Sequence, residues 1–134
     1  MLVLCGWACG IRCICIRVVT PDLAFVSALI SSDTEDMRRY RATIGGQRGE
    51  ELTSCDAVNL LFRGYGHIYL YSQAELTRAV QQAGFADIVE TRAVRPQEPI
   101  FASVEGQGGV LGEDINAMEA FALEARKPLT ANAP

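Results

Sequence analysis

The hydrophobic positions along the chain change period several times, and each change marks an element. Between Arg12 and Thr20, Cys13, Cys15 and Arg17 alternate with Ile14, Ile16 and Val18, a period of two that predicts a strand stopped by Pro21. Leu23 to Ile30 is a short apolar run suited to a helix. Ser32 with Glu35 fits a reciprocal cap for a second helix that runs to about Ile44 and ends at Gly45-Gly46. Glu51 to Arg63 predicts a third, broken by Gly64 and Gly66. His67 to Tyr71 then reads as a short extended approach to a fourth helix, which carries the strongest local signal. Ser72 and Glu75 form an S-x-x-E cap, Leu76, Ala79, Val80 and Ala83 share one face, and Gly84 supplies the left-handed residue that ends it. Ile88 to Val94 and Ala120 to Arg126 read as two further strands. The connection between them contains Pro96, Pro99 and Gly106, Gly108, Gly109 and Gly112, and is long enough for a flap or an embedded helix.

Composition narrows the class. At 134 residues, 49% hydrophobic and 21% charged, the chain makes one globular domain at most. A net charge of −4 argues against a nucleic-acid partner, which calls for a basic stripe along the phosphates. Arg38, Arg39, Arg41 and Arg48 follow Asp33, Glu35 and Asp36, the pattern of a solvated helix with its own ion pairs. The N-terminal apolar run has no basic residue before it, is interrupted by Arg12 and Arg17, and falls short of the ~20 residues of a membrane span. The expectation is therefore a cytoplasmic protein with no membrane partner. Cys5, Cys9, Cys13, Cys15 and Cys55 lack the paired C-x2-C spacing of structural zinc sites, so reduced thiols are expected and no metal.

Three segments together resemble the last part of a class I S-adenosylmethionine-dependent methyltransferase. They are Arg17-Val-Val-Thr20-Pro21-Asp22-Leu23, then Asn59-Leu-Leu-Phe62-Arg63-Gly-Tyr-Gly66-His67 followed by Tyr71, and then the Ser72 helix with Gly84-Phe85 and the strand after it. Phe121-Ala-Leu-Glu-Ala-Arg-Lys127-Pro128 resembles the terminal strand, which in that family runs antiparallel and slots into the sheet beside the strand that carries Thr20. The resemblance implies an α/β fold: a partial Rossmann-like methyltransferase sheet of about three strands, including the antiparallel terminal one, with three to four helices. It divides the chain into an unmatched Cys-rich segment (1–15), the C-terminal half of a methyltransferase-like domain (16–128) and a loose tail (129–134). The cofactor is then S-adenosylmethionine by resemblance, but the family's glycine-rich cofactor loop has no counterpart before Ile16, so no residue here is assigned to cofactor binding. A truncated reading frame or an internal start is the expectation.

Candidate chemistry gathers around the only histidine. His67 is the catalytic candidate, a proton acceptor for a small-molecule methyl acceptor, with Asp22, Asn59, Arg63 and Tyr71 as substrate-binding residues. Asp22 is included because open α/β sheets place ligands beyond the carboxyl ends of their strands. The plainer alternative has His67 bonding a helix end while Tyr69 packs in the core. A second glycine-rich stretch, Gly106-x-Gly108-x-x-x-Gly112, has the wrong spacing for a phosphate loop and places Glu113-Asp114 where a pyrophosphate would lie. Three functional readings follow: the acceptor-side half of a methyltransferase, inactive alone; a docking or oligomerisation module that uses the edge of strand 12–20; or a truncated gene product without function. For the second, the edge is either open to a homo-oligomer or complementing chain, or covered by Leu2 to Cys5 folding back.

Overall fold

The computed structural model describes residues 2–6, 13–64, 66–93, 96–97, 101 and 112–128, with the side chains of 2–6, 13 and 128 left aside. Its strands are β1 (Leu2–Gly6), β2 (Cys13–Pro21), β3 (Ala86–Arg92) and β4 (Ala120–Pro128). Its helices are α1 (Leu23–Ser31), α2 (Glu35–Gly46), α3 (Ser54–Asn59, continued as a wider turn over Leu60–Gly64), α4 (Gln73–Gln82) and α5 (Glu113–Glu119). The fold is α/β with an open sheet in the order β1-β2-β4-β3, every neighbouring pair antiparallel. β2 and β3 therefore run in the same direction on either side of β4.

The sheet holds one strand more than expected, and that strand decides between the two readings of the β2 edge. Leu2 to Gly6 pairs with Cys15 to Val19, so of the two alternatives for the edge of strand 12–20 the chain takes the one in which its own first segment folds back over it. On its other side β2 pairs with β4 from Cys13↔Pro128 to Pro21↔Ala120, which puts Thr20 opposite Phe121. The additional helix is α5, embedded in the connection before β4. The glycine-rich stretch before Gly112 lies outside the described residues.

Alternation sorts β2 onto two buried faces. Ile16 and Val18, with Phe121, Leu123 and Ala125 of β4, pack under Leu76 and Val80 of α4. On the other face Val19 meets Ala122 and Ala93. A separate helical core joins Phe25, Val26 and Leu29 of α1 to Met37, Tyr40 and Ile44 of α2, to Ala57 and Leu61, and to Ile115 of α5.

Helix ends follow local chemistry, in two places differently from expectation. α2 is capped by Thr34, whose hydroxyl accepts from the Met37 amide at 3.3 Å, because Ser32 instead donates to the Ala28 carbonyl at 2.7 Å and closes α1. α3 begins at Ser54 rather than Glu51, since Thr53 and Asp56 form the reciprocal cap there. At α4 only half of the expected cap forms: Ser72 accepts from the Glu75 amide, while the Glu75 carboxylate pairs with Arg78 at 2.9 Å. Gly84 takes φ +82 and turns the chain toward β3, which starts two residues earlier than the sequence reading. The α2 arginines pair with acids near and far: Arg38 and Arg41 with Asp33, and Arg39 with Asp114 of α5.

Candidate ligand cleft at the strand ends

Because β2 and β3 run the same way, their carboxyl ends open onto a common edge. Asp22 follows β2, Arg92 ends β3, and Ala120 starts β4 between them; with Gln73, Glu90 and Met118 they line a cleft of about 270 Å³. Asp22 is fixed by backbone and side chain together. Its amide donates to the Glu119 carbonyl at 2.9 Å, the next amide, of Leu23, donates to the Tyr71 carbonyl at 3.1 Å, and its carboxylate caps α1 by accepting from Ala24 at 2.8 Å. Asp22 and Tyr71 thus form an isolated parallel bridge. Across the cleft the Gln73 amide donates to the Glu90 carboxylate at 2.5 Å, and Arg92 supplies the cationic group. Two carboxylates and one guanidinium suit a small polar ligand that offers hydroxyl or amine donors.

The expected site residues divide between places. Asp22 and Tyr71 are joined as described, and the Tyr71 ring lies 4.6 Å from that of Tyr69 while packing on the α4 core. Asn59 lines a different cleft, with Arg48, Glu50 and Asp56, and donates to the Cys55 carbonyl at 2.9 Å. Arg63 is exposed on the wide turn that follows α3. His67 is half-buried, and burial lowers its pKa below the usual imidazole value. Neither of the two clefts is lined by Arg63, His67 or Tyr71. Tyr69 is 54% exposed, so the alternative that packs it in the core does not hold.

One group next to the cleft went unread in the sequence. Glu119 closes α5, its carbonyl holds Asp22, and its carboxyl is buried where the fully buried Tyr40 hydroxyl donates to it at 2.5 Å. Desolvation pushes the Glu119 pKa up, and the Tyr40 hydrogen bond opposes this. Its signal was the spacing Ile115 to Glu119, one helical turn, inside a segment read as a connection. The α5 residue Asn116 and the β2 residue Thr20 each bury a side-chain oxygen without a hydrogen-bond partner. Among the described residues no group of three His, Cys, Asp or Glu side chains is placed to hold a metal ion, and no helix is long and apolar enough to cross a membrane. Cys15 is buried and Cys55 exposed. No family model, curated protein or solved structure matches the chain.

Proposed function

We propose that this chain is the acceptor-side half of a Rossmann-like, class I S-adenosylmethionine-dependent methyltransferase domain, that the cleft beside Asp22 holds a small-molecule methyl acceptor, and that the chain alone transfers no methyl group. The observation that carries this reading is the order β2-β4-β3, with antiparallel β4 inserted between two co-directional strands and α1 to α4 filling the connection between those strands. That is the placement the resemblance implies for a terminal strand beside Thr20. Asp22, at the carboxyl end of β2, is the group positioned to accept a proton from a bound hydroxyl or ammonium.

The residues present do not fit the cofactor. The Asp22 cleft, at about 270 Å³, is below the ~300–1,000 Å³ that drug-sized ligands occupy, and its lining is acidic. The β2 edge away from β4 is taken by antiparallel β1, which leaves no place there for a further parallel strand. Isothermal titration of the chain with S-adenosylhomocysteine tests the reading. The expected result is no saturable heat from a folded sample; saturable micromolar binding would show a whole cofactor site and overturn the half-domain assignment. A nuclear magnetic resonance titration with ethanolamine, which carries both an amine and a hydroxyl, should move the amides of Gln73, Glu90 and Arg92. Unmoved amides there remove the acceptor assignment.

A second reading, a docking or oligomerisation module, is favoured by β1 itself. Leu2-Val-Leu-Cys-Gly6 ends the sheet and carries no charged residue, the kind of edge that adds a strand from another chain. Sedimentation equilibrium should then give a dimer that Leu4→Lys dissociates. A monomer at all concentrations sets this reading aside.

A further inference from the structure

The Asp22 cleft contains a cation that acceptance of a proton does not call for. Arg92 lines it and is exposed, and among the described residues its guanidinium has neither an ion-pair nor a hydrogen-bond partner; only its carbonyl is engaged, by Arg17 at 2.9 Å. The sheet register sets its direction. Thr20, Phe121 and Arg92 lie opposite one another across β2, β4 and β3, and Phe121 packs under α4, so Arg92 projects from that same face, as does Glu90 two residues earlier. Glu90 there meets Gln73, the first residue of α4.

Asp22 lies two residues beyond Thr20 in extended backbone. With strands ~4.8 Å apart and a rise of ~3.3 Å per residue, its Cα is roughly 12 Å from that of Arg92. Neither Asp22 nor Glu90 forms an ion pair with the guanidinium. Once the two side chains have reached inward, the gap suits a molecule of a few heavy atoms, in keeping with a volume of about 270 Å³. The carboxylates are only half used. Asp22 gives one oxygen to the Ala24 amide and Glu90 one to the Gln73 side chain, which leaves the second oxygen of each to a donor on the ligand. Arg92 has donors alone, and the start of α4 at Gln73 adds the partial positive charge of a helix N-terminus. An amine without a carboxylate would leave the guanidinium without an acceptor, and a hydroxy acid would bring a third negative charge to one cation.

Resting on the acceptor reading of this cleft, we propose that the acceptor is a small α-amino acid, held with its ammonium group at Asp22 and its carboxylate at Arg92. The two ends of the cleft then select the two ends of the ligand.

The test is a set of ¹⁵N–¹H titrations of the full chain with L-serine, with ethanolamine, which is the same molecule without its carboxylate, and with glycolate, which has a hydroxyl and a carboxylate but no amine. L-Serine should saturate the shifts of the Gln73, Glu90 and Arg92 amides with a Kd about tenfold or more below that of either control, and ethanolamine should move the same amides at higher concentration. Arg92→Gln, at an exposed position, should raise the L-serine Kd to the ethanolamine value. Asp22→Asn, which keeps a capping side chain for α1, should weaken L-serine by about tenfold as well. Ethanolamine or glycolate binding as tightly as L-serine, or an Arg92→Gln chain that still prefers L-serine to ethanolamine, would overturn the amino-acid assignment and leave the acceptor cleft standing. Amides unmoved by all three ligands would remove the acceptor cleft and this assignment together.

Discussion

Replacing Arg17 by Met should be among the most damaging single changes in the sheet. Arg17 is fully buried, and its guanidinium donates to the Glu124 carboxylate at 2.7 Å, to the Thr91 hydroxyl, and to the carbonyls of Arg92 and Ala93, both at 2.9 Å. Methionine keeps most of the apolar stem but removes the guanidinium 2.7 Å from the buried Glu124 carboxylate and takes a donor from two carbonyls. Breaking such a pair costs about 3–5 kcal/mol, a fifth or more of the ~5–15 kcal/mol by which whole domains are stable. At roughly 4 °C per kcal/mol for a chain of this length, Tm should fall by about 10–20 °C. The companion variant Glu124→Leu and the double variant complete a cycle. The double variant should recover at least ~2 kcal/mol relative to the sum of the singles, because it buries no unpaired charge, while the stranded carbonyls and the Gln97 amide keep it below wild type. Urea unfolding, read as a midpoint at constant slope, measures all four chains. An Arg17→Met loss under about 1 kcal/mol, or singles that add within ~0.5 kcal/mol, would mean that water reaches the pair and that the reasoning fails.

Three further outcomes follow from groups already described. Because the folded-state pKa of Glu119 is raised, the native chain binds more protons than the unfolded one above the ordinary carboxylate pKa of ~4.3; this contribution is full below that value and is lost as pH rises through the folded one. Glu119→Gln should therefore flatten this fall in urea midpoints as pH rises above the ordinary carboxylate range, and parallel profiles for the two chains would refute it. Gly84→Ala should cost about 1–2 kcal/mol, since φ is +82 and the new Cβ comes within 3.2 Å of Lys127 Nζ; a chain as stable as wild type would contradict the left-handed turn. His67, partly desolvated, should titrate below the ~6.5 of a free imidazole when followed by its ring proton shifts, and a midpoint above that value would place it in open water or beside an acid.

What the sequence disclosed was mostly local. The path from Ser72 through α4 to Gly84 and β3 could be read because cap, apolar stripe and left-handed glycine lie within one short segment and act on their own neighbours. α2 was placed to within a residue or two, although its cap moved from Ser32 to Thr34 because the end of α1 competes for the Ser32 hydroxyl. The alternation of β2 showed a strand, but an arginine inside it gave no sign of burial, since its partner Glu124 lies 107 residues away. β1 was read only as one of two alternatives for the same reason: pairing of Leu2 with Val19 is a choice between chain segments, not a property of either. The site was less legible than the fold. Asn59, Arg63 and His67 are close in sequence, yet Asn59 lines a cleft other than that of Asp22, and the group that holds the Asp22 amide is the Glu119 carbonyl.

The pairing of β2 with β4 also sets a timetable for the newborn chain. The centre of the sheet joins residues about a hundred positions apart, so at ~5–20 residues per second β2 leaves the ribosome some 5–20 s before β4 is made. Throughout that interval a strand destined for burial on both faces is without its main neighbour. The pairing with Leu2 to Gly6 is a sheet contact it can form in that interval, because β1 precedes β2 in the chain and β4 follows it. β1 thus covers one flank of β2 from a segment made before it, and the other flank is covered only once β4 takes its place between β2 and β3.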